Sequence, residues 1–177
     1  MFGLGRREAL AAPTGALYAR IVAQARMPTF YARYGVPDSP LGRFEMIALH
    51  AFLVMRRLKR EGTAGAEASQ ALFDLMFADL DRNLREMGVG DLGVGRRVKA
   101  LAKGFYGCIR AYERALDAGS PGDALGAALA RNLYAGSPPA GAALAGVADY
   151  LRREDRALAR LEAGDLLAGR LEFGAPD

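Results

Sequence analysis

An all-α fold, a single compact multi-helix domain of about six to seven helices, is what this sequence predicts. Three observations carry that expectation. Apolar residues recur at spacings of three and four through segment after segment. Pro, Gly, Ser and Asp fall where helices start and stop. No stretch alternates apolar and polar residues as a half-buried strand would. A length of 177 residues suits one domain, and 51% hydrophobic content is ample for a core. We expect residues 1–13 to be an N-terminal extension, 14–136 a helical core, and 137–177 a C-terminal helical segment packing on that core.

The N-terminus, MFGLGRREALAAPTGAL, imitates a secretory signal only weakly. Glu8 and Pro13 interrupt an apolar run that is already too short, and Arg6–Arg7 lacks the hydrophobic follow-on of a twin-arginine signal. Thr14 is predicted to cap a first helix running to about Arg26, with Leu17, Ile21 and Ala25 on one stripe. Pro28 then starts a short helical turn holding Phe30, Tyr31 and Tyr34, closed by Gly35. Three aromatics this close make either an exposed recognition patch or a plug at the end of the core, and aromatic partitioning favours the plug.

Ser39, followed by Pro40, is predicted to cap a second long helix reaching about Arg60. Its apolar positions (Leu41, Phe44, Met46, Ile47, Ala48, Leu49, Phe52, Leu53, Val54, Met55) cover most of the circumference, so this helix belongs at the centre. A narrow polar strip remains, made of Arg43, His50 and Arg57. EGTAGAEAS reads as a turn, and a third helix follows to about Met87, with Leu72, Met76, Leu80, Leu84 and Met87 inward. Its charges read as ion pairs, Asp81 with Arg85 and Arg82 with Glu86. Gly88 is predicted to stop it in the left-handed region, and Asp91 to cap the next.

That next helix has two clean sides. At about 100° per residue, Val94, Val98, Leu101, Phe105, Cys108, Ile109, Tyr112 and Leu116 share one, while Arg96, Lys99, Lys103, Arg110 and Arg114 share the other. The cationic stripe would extend roughly 27 Å. Gly104 and Gly107 inside this helix cost about 1 kcal/mol each relative to Ala, which suggests a neighbouring backbone packed against them. A charge stripe often does no more than keep a helix face in water. No acidic residue interrupts this one at its centre. Ser120-Pro121 should open a fifth helix that presents Leu125, Leu129 and Leu133 and ends at Gly136. After the break at SPPAGA, a sixth spans about 142–163 with Leu144, Val147, Leu151, Leu158 and Leu161 inward. Gly164-Asp165 restarts a short last helix, and the final residues should fray.

Function classes narrow quickly. A net charge of +4 suits an anionic partner without requiring one. One Cys and one His exclude an intrachain disulfide and Cys/His zinc sites. No uninterrupted apolar stretch reaches membrane-spanning length, so a soluble, cytoplasmic protein is expected, peripheral at most to the inner face of a membrane. MGVGDLGVG lacks the preceding strand and the Gly-Lys-Ser/Thr ending of a phosphate loop. His50 has no nucleophile or ligand set at a matching spacing, so a structural hydrogen-bonding role is favoured over catalysis. No cofactor and no metal are expected. The candidate partner-binding residues are Arg96, Lys99, Lys103, Arg110 and Arg114, with Phe30, Tyr31, Tyr34, Arg43 and His50.

Three segments, ARMPTFYARYGVPDSPLGRFEMIALHAFLVMRRL, FDLMFADLDRNLREMGVGDLGVGRRVKALAKGFYG and AYERAL, together resemble the ubiquinol–cytochrome c chaperone family. The likeness runs from about Leu17 to Tyr134, and its most specific motifs are GVPD…GRFE and LREMGVGDLGVG. Ser39 stands where members often carry Thr, which keeps the capping hydroxyl. The resemblance implies an all-helical, non-enzymatic protein. Mitochondrial members assist assembly of the ubiquinol–cytochrome c reductase complex, bind near the ribosomal exit tunnel and hold newly made cytochrome b. By that likeness the partners here would be cytochrome b or another membrane subunit, with ribosomal RNA or anionic lipid on the basic helix and a small partner subunit as further candidates. The family motif begins almost at once, without a presequence, which points to a bacterial cytoplasmic homologue. A general RNA-binding helical module, and an enzyme using His50 with Arg43 or Arg57 on a small anion, are the competing readings.

Overall fold

The structure, a computed structural model, describes residues 2–117, 123–139 and 141–176, with side chains from residue 10 onward in those ranges. Among the described residues there are no strands, and the helices are α1 (Phe2–Ala25), α2 (Pro28–Ala32), α3 (Pro40–Leu58), α4 (Gly62–Glu86), α5 (Asp91–Leu116), α6 (Ala124–Asn132), α7 (Gly141–Ala159) and α8 (Ala163–Leu167). A single 3-10 turn, Lys59–Glu61, joins α3 to α4. The expected all-α domain is therefore what forms, with six longer helices and two of one turn each.

Everything packs around α3. Helices α1, α4, α5 and α7 all lie against it, α4 pairs with α1 and α5, and α6 bridges α5 to α7. The reason is legible in α3 itself: Phe44, Met46, Leu49, Phe52, Leu53 and Val54 are buried on several sides of one helix. Each such side chain contributes roughly 1.5–3 kcal/mol on leaving water. Ser39 caps it as expected, its Oγ accepting from the Gly42 amide at 3.1 Å, with Pro40 at the first position.

Several local expectations need correction. Thr14 does not start the first helix; α1 already runs from Phe2 with Pro13 inside it, and Thr14 is buried. EGTAGAEAS is no turn. The chain reverses in the 59–61 turn and at Gly62 (φ +56°), and α4 begins there. The helix can start this early because Gly65 lets it press onto the end of α3, where a Cβ would sit 1.9 Å from the Leu58 carbonyl oxygen. Asp91 is the first residue of α5 rather than its cap, which is Gly90. Arg82 pairs with Asp79 at 2.8 Å rather than with Glu86, while the expected Asp81–Arg85 pair forms at 2.6 Å. Gly88 does stop α4 with φ +80°. The Ser120-Pro121 start lies outside the described residues, and α6 is seen from Ala124.

The described tail, residues 168–176, is pinned to the core rather than frayed. After α8 the chain lies extended along the molecule, with Leu171 buried and Phe173 packed on the core. The Gly174 amide donates to Glu154 at 2.9 Å, its carbonyl accepts from Gln24 at 2.7 Å, and Arg153 donates to the Ala175 carbonyl at 2.7 Å. Two apolar anchors and three hydrogen bonds outweigh the chain entropy that frees most termini.

Candidate functional site: the outer face of α5

Helix α5 is held by one side only. Val94, Phe105 and Tyr112 are buried, and Val98, Leu101, Cys108, Ile109 and Leu116 are packed against the core or partly covered. Opposite them, Arg96, Lys99, Lys103, Arg110 and Arg114 are all exposed. Arg114 is engaged by neighbours in its own chain. Among the described residues Arg96, Lys99, Lys103 and Arg110 make no ion pair or hydrogen bond, and they form a row roughly 21 Å long at ~1.5 Å rise per residue.

The carboxylates at the far end of α5 are taken from the other side. Glu113 pairs with Lys59 at 3.0 Å and Asp117 with Arg56 at 3.1 Å, while Arg56 also reaches Asp155 at 3.0 Å. At the near end, Arg85 holds both Asp81 and Asp91. These acids are neutralised from α3, the 59–61 turn and α4, so the cationic row keeps its field. The glycines behave differently from the expectation. No atom outside the helix comes within 4 Å of where a Cβ would stand on Gly104 or Gly107, so no neighbouring backbone explains them.

Two exposed apolar residues complete the face, and sequence reasoning missed their position. Leu92 is 87% exposed and shares the angular sector of Lys99, Lys103 and Arg110 at about 100° per residue. Helical phase alone marks it as an apolar residue on the wrong side. Met87, expected inward, is 52% exposed at the end of α4. Tyr106, half-exposed and stacked on Phe73 at 5.4 Å, stands between the cationic row and a cleft of about 310 Å³. That cleft lies where α3, α4 and α5 meet. Phe52, Met55 and Ile109 line it on one side and the small Gly62, Ala66 and Ser69 on the other, with Arg56, Lys59 and Glu113 also lining it.

The remaining candidates lie elsewhere. Phe30 and Tyr34 are buried and Tyr31 partly so, which makes them the plug. The Tyr31 hydroxyl donates to the Ala25 carbonyl at 2.7 Å, and Tyr34's carbonyl accepts from Tyr134 at 2.8 Å. Arg43 is exposed and pairs with Asp38 at 2.6 Å; that hydrogen bond holds the Asp38 carboxyl below its usual range. His50 is fully buried, its Nδ1 2.8 Å from the Met46 carbonyl and its Nε2 2.9 Å from the Tyr150 hydroxyl. Burial pushes its pKa down to about 4, so it is neutral and closed to any substrate. Arg57 is buried too, donating to the Leu161 carbonyl at 2.8 Å and pairing with Glu61. His50 and Arg57 of the α3 strip are thus parts of an internal joint, Arg43 lies outside it at the surface, and α5 carries an open charged face. Among the described residues no three His, Cys, Asp or Glu side chains gather as a metal site, and no helix is long and apolar enough to cross a membrane.

Comparison with known proteins agrees with this architecture. The chain is 39% identical to the Cbp3 homolog from Brucella abortus, with a TM-score of 0.85 over 97% of this chain and 94% of that one. It is 25% identical to ubiquinol-cytochrome-c reductase complex assembly factor 1 of Xenopus laevis over 85% of this chain and 74% of the relative. The Mus musculus counterpart is 24% identical over 85% of this chain, which spans half the length of that relative. Residues 32–173 match the family described as Ubiquinol-cytochrome C chaperone, and the chain belongs to that family.

Proposed function

We propose that this protein is a non-enzymatic assembly chaperone that holds newly made cytochrome b, or a related membrane subunit, during biogenesis of the ubiquinol–cytochrome c reductase. The reading is carried by one arrangement. An unpaired cationic row and an open apolar cleft lie side by side on α5, with Tyr106 between them. The cleft offers the partly exposed Met55 and Ile109 to apolar side chains of the client, and a thioether adapts to varied shapes. The row supplies long-range attraction to the anionic surroundings in which a membrane subunit is made. Family membership and the relatives named as assembly factors of this complex support the client class.

The test is genetic and biochemical together. Deleting the gene should lower cytochrome b and assembled reductase while other respiratory complexes persist, and a copy carrying Met55→Asp and Ile109→Asp should fail to restore them. Unchanged reductase after deletion would overturn the assignment. Both substituted positions are partly covered at the cleft, so a matching circular dichroism spectrum and melting temperature must accompany the result.

A further inference from the structure

We infer that the outer face of α5 and the turn before it form an edge that docks on an anionic phospholipid bilayer, with Leu92 and Met87 entering the acyl boundary. The inference rests on the docking role proposed for the cationic row and names its partner. Exposed leucine and methionine at one turn need an occupant that water does not supply. Leu92 is almost wholly exposed, yet it lies in the sector of Lys99, Lys103 and Arg110. Cations near an anionic bilayer contribute about 1 kcal/mol each, and an exposed aliphatic side chain among them gains further by entering the acyl boundary. Tyr106, half-exposed along the same helix, suits the headgroup depth where tyrosines gather.

RNA fits this edge less well. A nucleic-acid surface rewards cations and flat stacking groups. Leu92 and Met87 offer neither, and the ring of Tyr106 is already stacked on Phe73. The acidic residues nearest the edge do not oppose the docking, since Arg85 holds both Asp81 and Asp91. Glu86, exposed at this turn, interacts electrostatically with Arg82. With four unpaired cations against it, the local balance stays positive.

The chain contains no tryptophan, so Leu92→Trp installs a single reporter at the edge. Its emission should shift to the blue with phosphatidylglycerol-containing vesicles, stay unchanged with pure phosphatidylcholine, and be quenched by lipids brominated on the acyl chain. In vesicle flotation Leu92→Ser should weaken binding about tenfold, one aliphatic side chain's worth of transfer. Lys99→Ala or Lys103→Ala should each weaken it about fivefold. Both classes of variant alter exposed side chains and should keep the native helical spectrum. If the full chain ignores anionic vesicles but binds ribosomal RNA or heparin through the same lysines, the bilayer is the wrong partner and the cationic docking surface survives. If it binds none of these polyanions, the docking surface falls as well. Vesicle binding without a blue shift or acyl-chain quenching would overturn insertion by Leu92.

Discussion

The hydroxyl of Tyr150 in α7 sits 2.9 Å from Nε2 of His50 in α3, across 100 positions of sequence. Its direction follows from the neighbours. The Met46 carbonyl can only accept, so Nδ1 carries the proton and Nε2 accepts from Tyr150. The tyrosine oxygen in turn accepts from Gln24 of α1 at 2.9 Å. Phe30 and Phe173 close edge-on around the imidazole, with ring centroids 5.5 and 5.0 Å away. One buried polar chain therefore ties α1, α3 and α7 together, and this is the work His50 does.

Tyr150→Phe should destabilise the protein by about 1–3 kcal/mol, because it leaves the buried imidazole acceptor unpaired and removes one of the two hydrogen bonds of the Gln24 amide. Urea unfolding reads the loss as a lower midpoint at unchanged slope. A result within experimental error of the parent would mean that the joint carries no stability.

The same histidine sets a pH limit. Unfolding returns its pKa from about 4 to its ordinary 6.5, so between those values the unfolded chain binds a proton that the native state refuses. Stability from this group is complete above pH 6.5 and is lost as pH falls toward 4, by about 2–3 kcal/mol. His50→Gln should flatten that acid limb while lowering stability at neutral pH. An unaltered limb would assign the acid sensitivity to other groups.

Glu45 works in the opposite sense. Burial without a hydrogen-bonding partner raises its carboxyl to about 7 from an ordinary 4.5, so the native state binds the extra proton in that interval. Stability accordingly declines as pH rises through the interval, and Glu45→Gln should be stabilising above pH 7 by about 1–3 kcal/mol, with little effect below 4.5. Thermal melts of both proteins across pH give the comparison. Parallel curves would refute it.

Gly104→Ala and Gly107→Ala should each raise the melting temperature, since open space surrounds both positions and helix propensity favours Ala by about 1 kcal/mol. A lower melting temperature would reveal a contact that the structure does not contain. If these glycines instead serve a close approach by a partner, polyanion or vesicle binding should weaken while stability rises.

On the α5 row, Lys99→Ala and Arg110→Ala should weaken polyanion binding at low salt and make its salt dependence shallower by about one counterion each. Titrations of the parent and variants at several ionic strengths measure the slopes. Equal slopes would place the anion elsewhere.

Much of this protein was determined by local sequence. Helix class, the cap at Ser39, the stop at Gly88 and the two-sided character of α5 follow from periodicity and from backbone preferences within a few residues. The family likeness was equally legible in its motifs, and the match over residues 32–173 agrees. Tertiary packing decided the rest, because burial and pairing depend on which distant residue arrives. His50 and Arg57 look like a surface strip until Tyr150 and the Leu161 carbonyl close over them. The tail looks free until Glu154 and Gln24 bind it. The cations of α5 keep an open field only because Lys59, Arg56 and Arg85 take the nearby carboxylates first. Periodicity specifies which side of a helix is greasy, whereas long-range contacts specify which charges remain available to a partner.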